Sequence, residues 1–366
     1  DLLSKAVLLF IRFPEILGKY QNKYHFILID EYQDTNHAQY TLTKMLAARY
    51  RNLTVVGDAS QSIYSWRGAN FRNLVNFKND FSDLTTINLE QNYRSTQTIL
   101  DVAHNVIEKN TSHPILKLWT ENQKGEKIYL FQAVNEIEEA DFIAKTIQRA
   151  SNYGDFAVLY RTNAQSRTIE EAFLFAGIPY VLIGGTKFYQ RKEVKDVLSY
   201  LRLIANTKDL VSWERAEKNG KRRLEKFLEW MEKIKDKKDG LTTLDLLDET
   251  LTATDYLRLY DSSDEEDAGR LENIKELRSV AANFPGLDDF LENVSLVEQE
   301  ESTAGKVKRD NTGKDAVTLM TLHSAKGLEF PIVFIIGMEE GIFPHSRSLN
   351  NKDELEEERR LCYVGI

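Results

Sequence analysis

The stretch Phe26-Ile27-Leu28-Ile29-Asp30-Glu31-Tyr32-Gln33-Asp34-Thr35-Asn36 decides how this chain is read. Four apolar residues without alternation predict a short strand buried on both faces, as in a parallel sheet. Such sheets bind ligands outside the carboxyl ends of their strands, which is where Asp30 and Glu31 fall. One acid beside a metal ion and its neighbour beside a water is what nucleoside triphosphate hydrolysis requires. A hydrophobic strand ending in acids is common, so the surrounding stretches must give it meaning.

Upstream, Leu2, Leu3, Val7, Leu8 and Ile11 keep helical spacing until Pro14. Downstream, Asn36 with Gln39 has the form of a capping box and opens a helix through about Ala48. Leu53 to Val56 predicts a second buried strand, ending at Gly57-Asp58, and Thr86 to Leu89 a third, before a helix near Ser95. A second set follows: Ile128 to Phe131, Phe156 to Tyr160 and Tyr180 to Ile183 are strand-like, with a helix closing at Gly177 and another from Arg191 to about Asn206. Strand patterns then stop until Val317 to Met320 and Ile332 to Gly337. Between them lie a basic stretch (Lys221 to Lys238), an acidic one (Asp261 to Asp267) and Glu298 to Asp310, which reads as a linker. This is α/β grammar with a helical insertion in the second α/β domain.

Composition narrows the class. With 366 residues, 42% hydrophobic and 29% charged, the chain is long enough for two or three cored domains of ordinary globular type. No apolar run approaches the roughly 20 residues that span a bilayer, so no membrane partner is expected. The single cysteine, Cys362, excludes an intrachain disulfide and fits a reducing cytoplasm. A net charge of -9 argues mildly against nucleic acid, although a basic groove can sit inside an acidic protein.

Three further stretches carry chemistry. In Gly57 to Ala69, one strand beyond the acids, Gln61 is placed to sense a phosphate or orient a water. Tyr64 and Trp66 beside Arg67 suit stacking on single-stranded bases, although an isolated Tyr-x-Trp is most often core packing. In Gln91-Asn92-Tyr93-Arg94-Ser95, the planar, always charged guanidinium of Arg94 suits a phosphate. Thr321 to Phe330 offers hydroxyls, His323 and Lys326 to a phosphate backbone, and Glu329 to a ribose. A lone histidine is more often structural than catalytic.

Taken in order, these stretches resemble the helicases of superfamily 1, the UvrD/PcrA/Rep type. Asp30 to Asp34 resembles helicase motif II, Gly57 to Ala69 motif III, Gln91 to Ser95 motif IV, Met320 to Phe330 motif V, and Glu357 to Ile366 the start of motif VI. Ala157 to Asn163 and Gly184 to Glu193 are also similar to second-domain segments of that family. The likeness runs from about Tyr24 to Ile366 and is weakest in the helical insertion.

The resemblance implies two RecA-like P-loop NTPase-type domains, the first incomplete, with a helical insertion in the second. It divides the chain into 1–95, 96–207, the insertion 208–314, and 315–366. It implies ATP and Mg²⁺, with Asp30 holding Mg²⁺ through water and Glu31 as general base. Gln61 would contact the γ-phosphate, Arg94 would serve as an arginine finger, Tyr93 would stack on adenine, Glu329 would bind the ribose, and Gly327 would lie at the ATP. Tyr64, Trp66, Arg67, Arg161, Asn163, Thr321 and His323 would contact DNA. The expected activity is ATP-driven 3′–5′ movement on single-stranded DNA and unwinding at single/double-strand junctions, in the cytoplasm, alongside repair or replication proteins.

No Gly-x-x-x-x-Gly-Lys-Ser/Thr occurs in the chain, and the resemblance puts that phosphate loop upstream of motif II. Motif VI stops before its Thr-Arg, and the region near Trp213 to Lys226 is shorter than the family's. The 366 residues alone are therefore expected not to hydrolyse ATP appreciably. Two rivals remain at this point. One is a helicase-nuclease subunit; the other is a non-catalytic DNA-binding scaffold, against which the intact Asp30, Glu31, Gln61 and Arg94 argue.

Overall fold

Wherever an apolar run is followed by a helix that returns the chain, the run can become a parallel strand. In the computed structural model, which describes residues 2–75, 77–235, 237–307 and 315–366, this happens in two compact units. The first comprises Asp1–Leu130, Ala325–Glu329 and Met338–Ile366, and the second Phe131–Ser324 and Phe330–Gly337. These units are defined by packing, whereas the divisions after residues 95, 207 and 314 come from the family resemblance.

In the first unit, β1 (Ile27–Ile29) pairs in parallel with β2 (Leu53–Val55), Ile27 opposite Leu53 and Ile29 opposite Val55. The helix His37–Ala47 connects them. Its start is fixed by the expected capping box, in which the Asn36 side chain accepts from the Gln39 N–H and the Gln39 side chain accepts from the Asn36 N–H. Pro14 opens the helix Pro14–Lys23, as expected for a residue whose missing N–H costs nothing in a first turn.

Three strand expectations are corrected here. β1 is not buried on both faces: Ile27 and Ile29 are half-buried, but Leu28 between them is 76% exposed. A strand is sealed on both sides only when layers cover both sides, and this two-stranded sheet is covered on one. Thr86 to Leu89 forms no strand, and Ile87 and Leu89 are exposed. The nearest pairing is the isolated bridge from Gln91 to Trp119. Strand propensity is realised only by pairing, and among the described residues 86–89 pairs with none. Ile128 to Phe131 likewise stays outside any ladder, with Phe131 stacked on Phe142 at 4.0 Å between ring centroids.

The second unit is built on four parallel strands. They are β3 (Phe156–Tyr160), β4 (Tyr180–Ile183), β5 (Val317–Thr321) and β6 (Ile332–Ile335), in spatial order β4-β5-β3-β6. Here the two-faced burial expected of β1 is found: every residue of β3 is buried. The helix Ser166–Phe175 crosses from β3 to β4 and ends just before Gly177, whose φ of +67° suits glycine. Phe156, Val158, Phe173, Leu319 and Ile336 fill the core around the sheet.

A separate core joins helices from Lys192–Ala205 to Leu287–Val307 around Tyr200, Phe227, Leu247, Tyr256 and Phe290. The strand-free middle of the chain is thus a packed helical body. The linker expected at Glu298 to Asp310 is corrected as far as Val307, because the helix continues to there; positions 308–310 lie outside the described residues. Val294 and Val297, buried one turn apart, anchor that helix despite its surrounding charge.

Candidate functional site

At the carboxyl end of β1 the backbone turns sharply. Glu31 has φ 52° and ψ 41°, the left-handed region that costs a non-glycine residue roughly 1–3 kcal/mol. Local bonds hold it there: the Glu31 N–H donates to Asp30 Oδ1 at 2.8 Å, and the Tyr32 N–H donates to the Val56 carbonyl at 2.9 Å. Tyr32 is fully buried and pins the turn, while Asp30 and Glu31 stay exposed. A cavity of about 330 Å³ opens beside them, lined by Ile29, Asp30, Glu31, Asp34, Thr35 and Thr43.

The Glu31 carboxylate is held from two sides. Gln33 Nε2 donates to Glu31 Oε2 at 2.5 Å, and Lys326 Nζ lies 3.1 Å from the same oxygen. Lys326 also bonds Asp34 Oδ2 and donates to the Gln61 carbonyl at 3.0 Å. Burial raises the Asp34 carboxyl above the ordinary carboxylate range, against the opposing pull of the Lys326 ammonium. Gln61 Nε2 donates to Asp58 Oδ2 at 3.0 Å. The structure thus brings Glu31 and Gln61 to one lysine that the sequence offered to a phosphate backbone.

Tyr64, Trp66 and Arg67 form a cluster rather than a buried core. Trp66 is 44% exposed, and the Arg67 guanidinium sits 4.3 Å from the Trp66 ring centre and 5.6 Å from that of Tyr64. The two rings meet edge to face at 6.3 Å. Tyr93 is exposed and donates its hydroxyl to Gln91 Oε1 at 3.0 Å. Arg94 Nε donates to Glu329 Oε2 at 2.5 Å, on the far side of Gly327 from Lys326. Gly327 itself turns the chain with φ +82°.

Behind this edge lie residues that sequence reasoning missed. Gln33 is buried and accepts the Asp58 N–H at 3.0 Å through Oε1, while its Nε2 holds Glu31. His113 is buried, sharing hydrogen bonds with Ser60 Oγ through Nε2 at 3.1 Å and with Ser112 Oγ through Nδ1 at 3.2 Å. Burial pushes its imidazole below the ordinary histidine range, helped by the Arg360 charge and opposed by Asp58 and Glu356. Buried Arg360 donates through Nε to the Ser62 carbonyl at 2.7 Å. Glu356 accepts from the Thr111 and Ser112 N–H groups at 3.0 and 3.2 Å. The helix Lys352–Gly365 is thereby fastened to the motif III turn. For Gln33, its place inside the acidic motif was a usable signal. His113 and its partners had none, because their contacts join distant segments.

In the second unit, Arg161 and Asn163 follow β3, while Thr321 ends β5 and His323 lies just beyond it. Tyr160 and Thr321 are register partners, so all four residues lie at one carboxyl edge. Thr321 Oγ1 shares a hydrogen bond with Ser324 Oγ at 3.0 Å. A Cβ on Gly184, which follows β4, would lie 2.9 Å from Ser324 Oγ, so three loops crowd this edge.

Comparison with known proteins now bears on these edges. The UvrD/REP helicase N-terminal domain matches residues 1–82, and the UvrD-like helicase C-terminal domain matches 87–266 and 251–366. The chain belongs to the UvrD-like helicase family. It is 43% identical to a protein of Bacillus subtilis (strain 168) named ATP-dependent DNA helicase PcrA. It is 42% identical to proteins of that name from Staphylococcus aureus (strain Mu50) and Staphylococcus epidermidis (strain RP62A). Each alignment takes in all of this chain and 56% of the relative, so the chain spans little more than half their length. The Bacillus alignment runs over 417 positions against 366 residues here, consistent with segments shorter than the relative's.

The α/β architecture with parallel sheets is that of a UvrD-like protein, whose family has RecA-like domains. Among the described residues no helix is long and apolar enough to cross a membrane. Nor do three metal-ligating side chains cluster among them. Mg²⁺ does not need such a cluster, since it is commonly held by one or two carboxylates plus phosphate oxygens and waters. An exposed Asp30 carboxylate at the mouth of a cavity fits that donor chemistry.

Proposed function

We propose that this UvrD-like chain is the core of an ATP-dependent 3′–5′ DNA helicase or translocase. It would turn over ATP while moving on single-stranded DNA and opening single/double-strand junctions. The observation that carries this is the placement of Asp30, Glu31 and Gln61 at one carboxyl edge of β1 and β2, beside a cavity of about 330 Å³. The relatives' name, ATP-dependent DNA helicase PcrA, supports it.

In this reading Asp30 would hold Mg²⁺, which would neutralise developing phosphate charge. Glu31 takes the proton from the attacking water, and its strained turn and Gln33 bond orient the carboxylate toward the cavity mouth. Gln61 senses the γ-phosphate. Arg94 leaves Glu329 to place its guanidinium on transition-state charge, and Glu329 and Tyr93 then take the ribose and adenine, with Gly327 at the nucleotide. Tyr64, Trp66 and Arg67 hold bases in the first unit, and Arg161, Asn163, Thr321 and His323 hold the strand in the second. RecA-like domains that close on ATP and open after hydrolysis convert turnover into steps. Cytoplasmic repair or replication is the expected setting.

The decisive experiment is Glu31→Gln in the full-length protein. ATP turnover should collapse while oligonucleotide binding survives. Unchanged turnover would instead favour a DNA-binding scaffold.

A further inference from the structure

Lys326 is the most heavily engaged cation at the candidate site, and no step above uses it. Its side chain is 8% exposed. An ammonium has three N–H donors, and three acceptors surround this one: Glu31 Oε2, Asp34 Oδ2 and the Gln61 carbonyl. Its charge therefore rests on the two acids of motif II that flank Tyr32 and Gln33, and on the backbone of the motif III glutamine. The Tyr64 ring lies 5.5 Å from the same nitrogen.

One oxygen of Glu31 is thus held by both the ammonium and the Gln33 amide. While the Lys326 contact lasts, that oxygen stays engaged and is not free to meet a water. Lys326 is covalently close to the nucleic-acid candidates: Thr321 and His323 precede it by a few residues, through the one-turn helix Leu322–Ala325. Immediately after it, Gly327 at φ +82° sets the direction of the chain toward Glu329. A strand held at Thr321 and His323 would therefore act on a segment only a few residues from the ammonium.

We propose that Lys326 is a positioning residue that restrains Glu31 in the absence of nucleic acid and releases it when a single strand binds along Thr321 and His323. The lysine thereby makes hydrolysis conditional on the strand. This deepens the proposed function and rests on Glu31 being the base.

Two measurements test it. The first is the acylation rate of Lys326 in the 366-residue chain, read by peptide mass spectrometry with and without an oligothymidylate. Lys326 should be protected alone and several-fold more reactive with the oligonucleotide. No change while fluorescence anisotropy shows the oligonucleotide bound would overturn the proposal; absence of binding would count instead against the nucleic-acid reading. The second is ATP turnover by the full-length protein carrying Lys326→Met, Lys326→Gln or Lys326→Arg. For Met and Gln, turnover without DNA should rise and the stimulation ratio should drop by about fivefold or more, within the usual span of coupling between sites. KM for ATP should move less than kcat, and Arg should restore most of the stimulation. Gln retains hydrogen bonding toward Asp34 and Gln61, so it serves if Met fails to fold. Stimulated and unstimulated rates falling together, with their ratio intact, would show a merely structural lysine. If Glu31→Gln leaves turnover unchanged, the fault lies with the base assignment.

Discussion

Gln33 Nε2 donates to Glu31 Oε2 at 2.5 Å while Gln33 Oε1 accepts the Asp58 N–H at 3.0 Å, so one buried amide joins the end of β1 to the loop after β2. The two bonds fix which way the amide faces, and through it the candidate base. Gln33→Leu keeps the volume and removes both partners. It should cost about 1–3 kcal/mol by leaving the Asp58 N–H unsatisfied. Urea denaturation measures that loss, and in the full-length protein kcat should drop more than KM for ATP.

Gly57 approaches the same amide. A Cβ there would lie 2.7 Å from Gln33 Oε1 and 3.3 Å from Leu74 Cδ2. Because Gln33 is buried and bonded at both ends, it cannot swing aside. Gly57→Ala should therefore destabilise by about 1–3 kcal/mol, the range for overpacking a filled site. A thermal midpoint equal to that of the unaltered chain would contradict this.

Glu356 gives the fold an acid limit. Burial on its own would raise this carboxyl; the Ser112 and Thr111 donors outweigh it and bring it down to about 2. A carboxyl depressed in the fold contributes stability that is complete above its unfolded value near 4.5 and is lost as pH falls toward 2. Glu356→Gln should flatten the pH dependence of unfolding in that window. The remaining slope there would come from other carboxylates.

His113 acts at milder acidity. Its folded value lies below the ordinary 6.5, so the unfolded chain binds the proton more readily. Stability from the neutral ring is complete above pH 6.5 and declines as pH falls below it. His113→Gln should remove this contribution, which chemical denaturation at pH 7.5 and at pH 5.5 will measure. A stability difference between those pH values as large as in the unaltered chain would rule the histidine out.

Trp66 separates binding from folding. It is nearly half exposed and packed chiefly by Arg67, so Trp66→Ala should leave the thermal midpoint close to that of the unaltered chain. If bases stack on it, oligothymidylate affinity should fall by about 1–3 kcal/mol. Equal affinity by fluorescence anisotropy would remove Trp66 from the nucleic-acid surface.

Much of the fold was legible because it is written locally. Asn36 and Gln39 announce a helix start, Pro14 and Gly177 punctuate, and β2 to β6 stand where apolar runs do. The strand errors share one cause: Thr86 to Leu89 and Ile128 to Phe131 have strand composition but pair with no described strand, and Leu28 has no layer above it. Pairing and covering are properties of the neighbours, which a run of residues does not specify. The motif residues could likewise be named from order alone, whereas Gln33, His113 and Glu356 gained meaning only from what they touch.

By itself, then, the amino-acid order determined the family, the helix caps and which acids, aromatics and arginines to watch, because those depend on residues a few positions apart. Only the folded chain decided that Lys326 meets Asp34 across 292 positions and lies against Glu31, and that Arg94 meets Glu329. Coulombic and hydrogen-bond energies act over a few ångströms of space, and separation along the chain says nothing about that distance until the strands and turns have closed it.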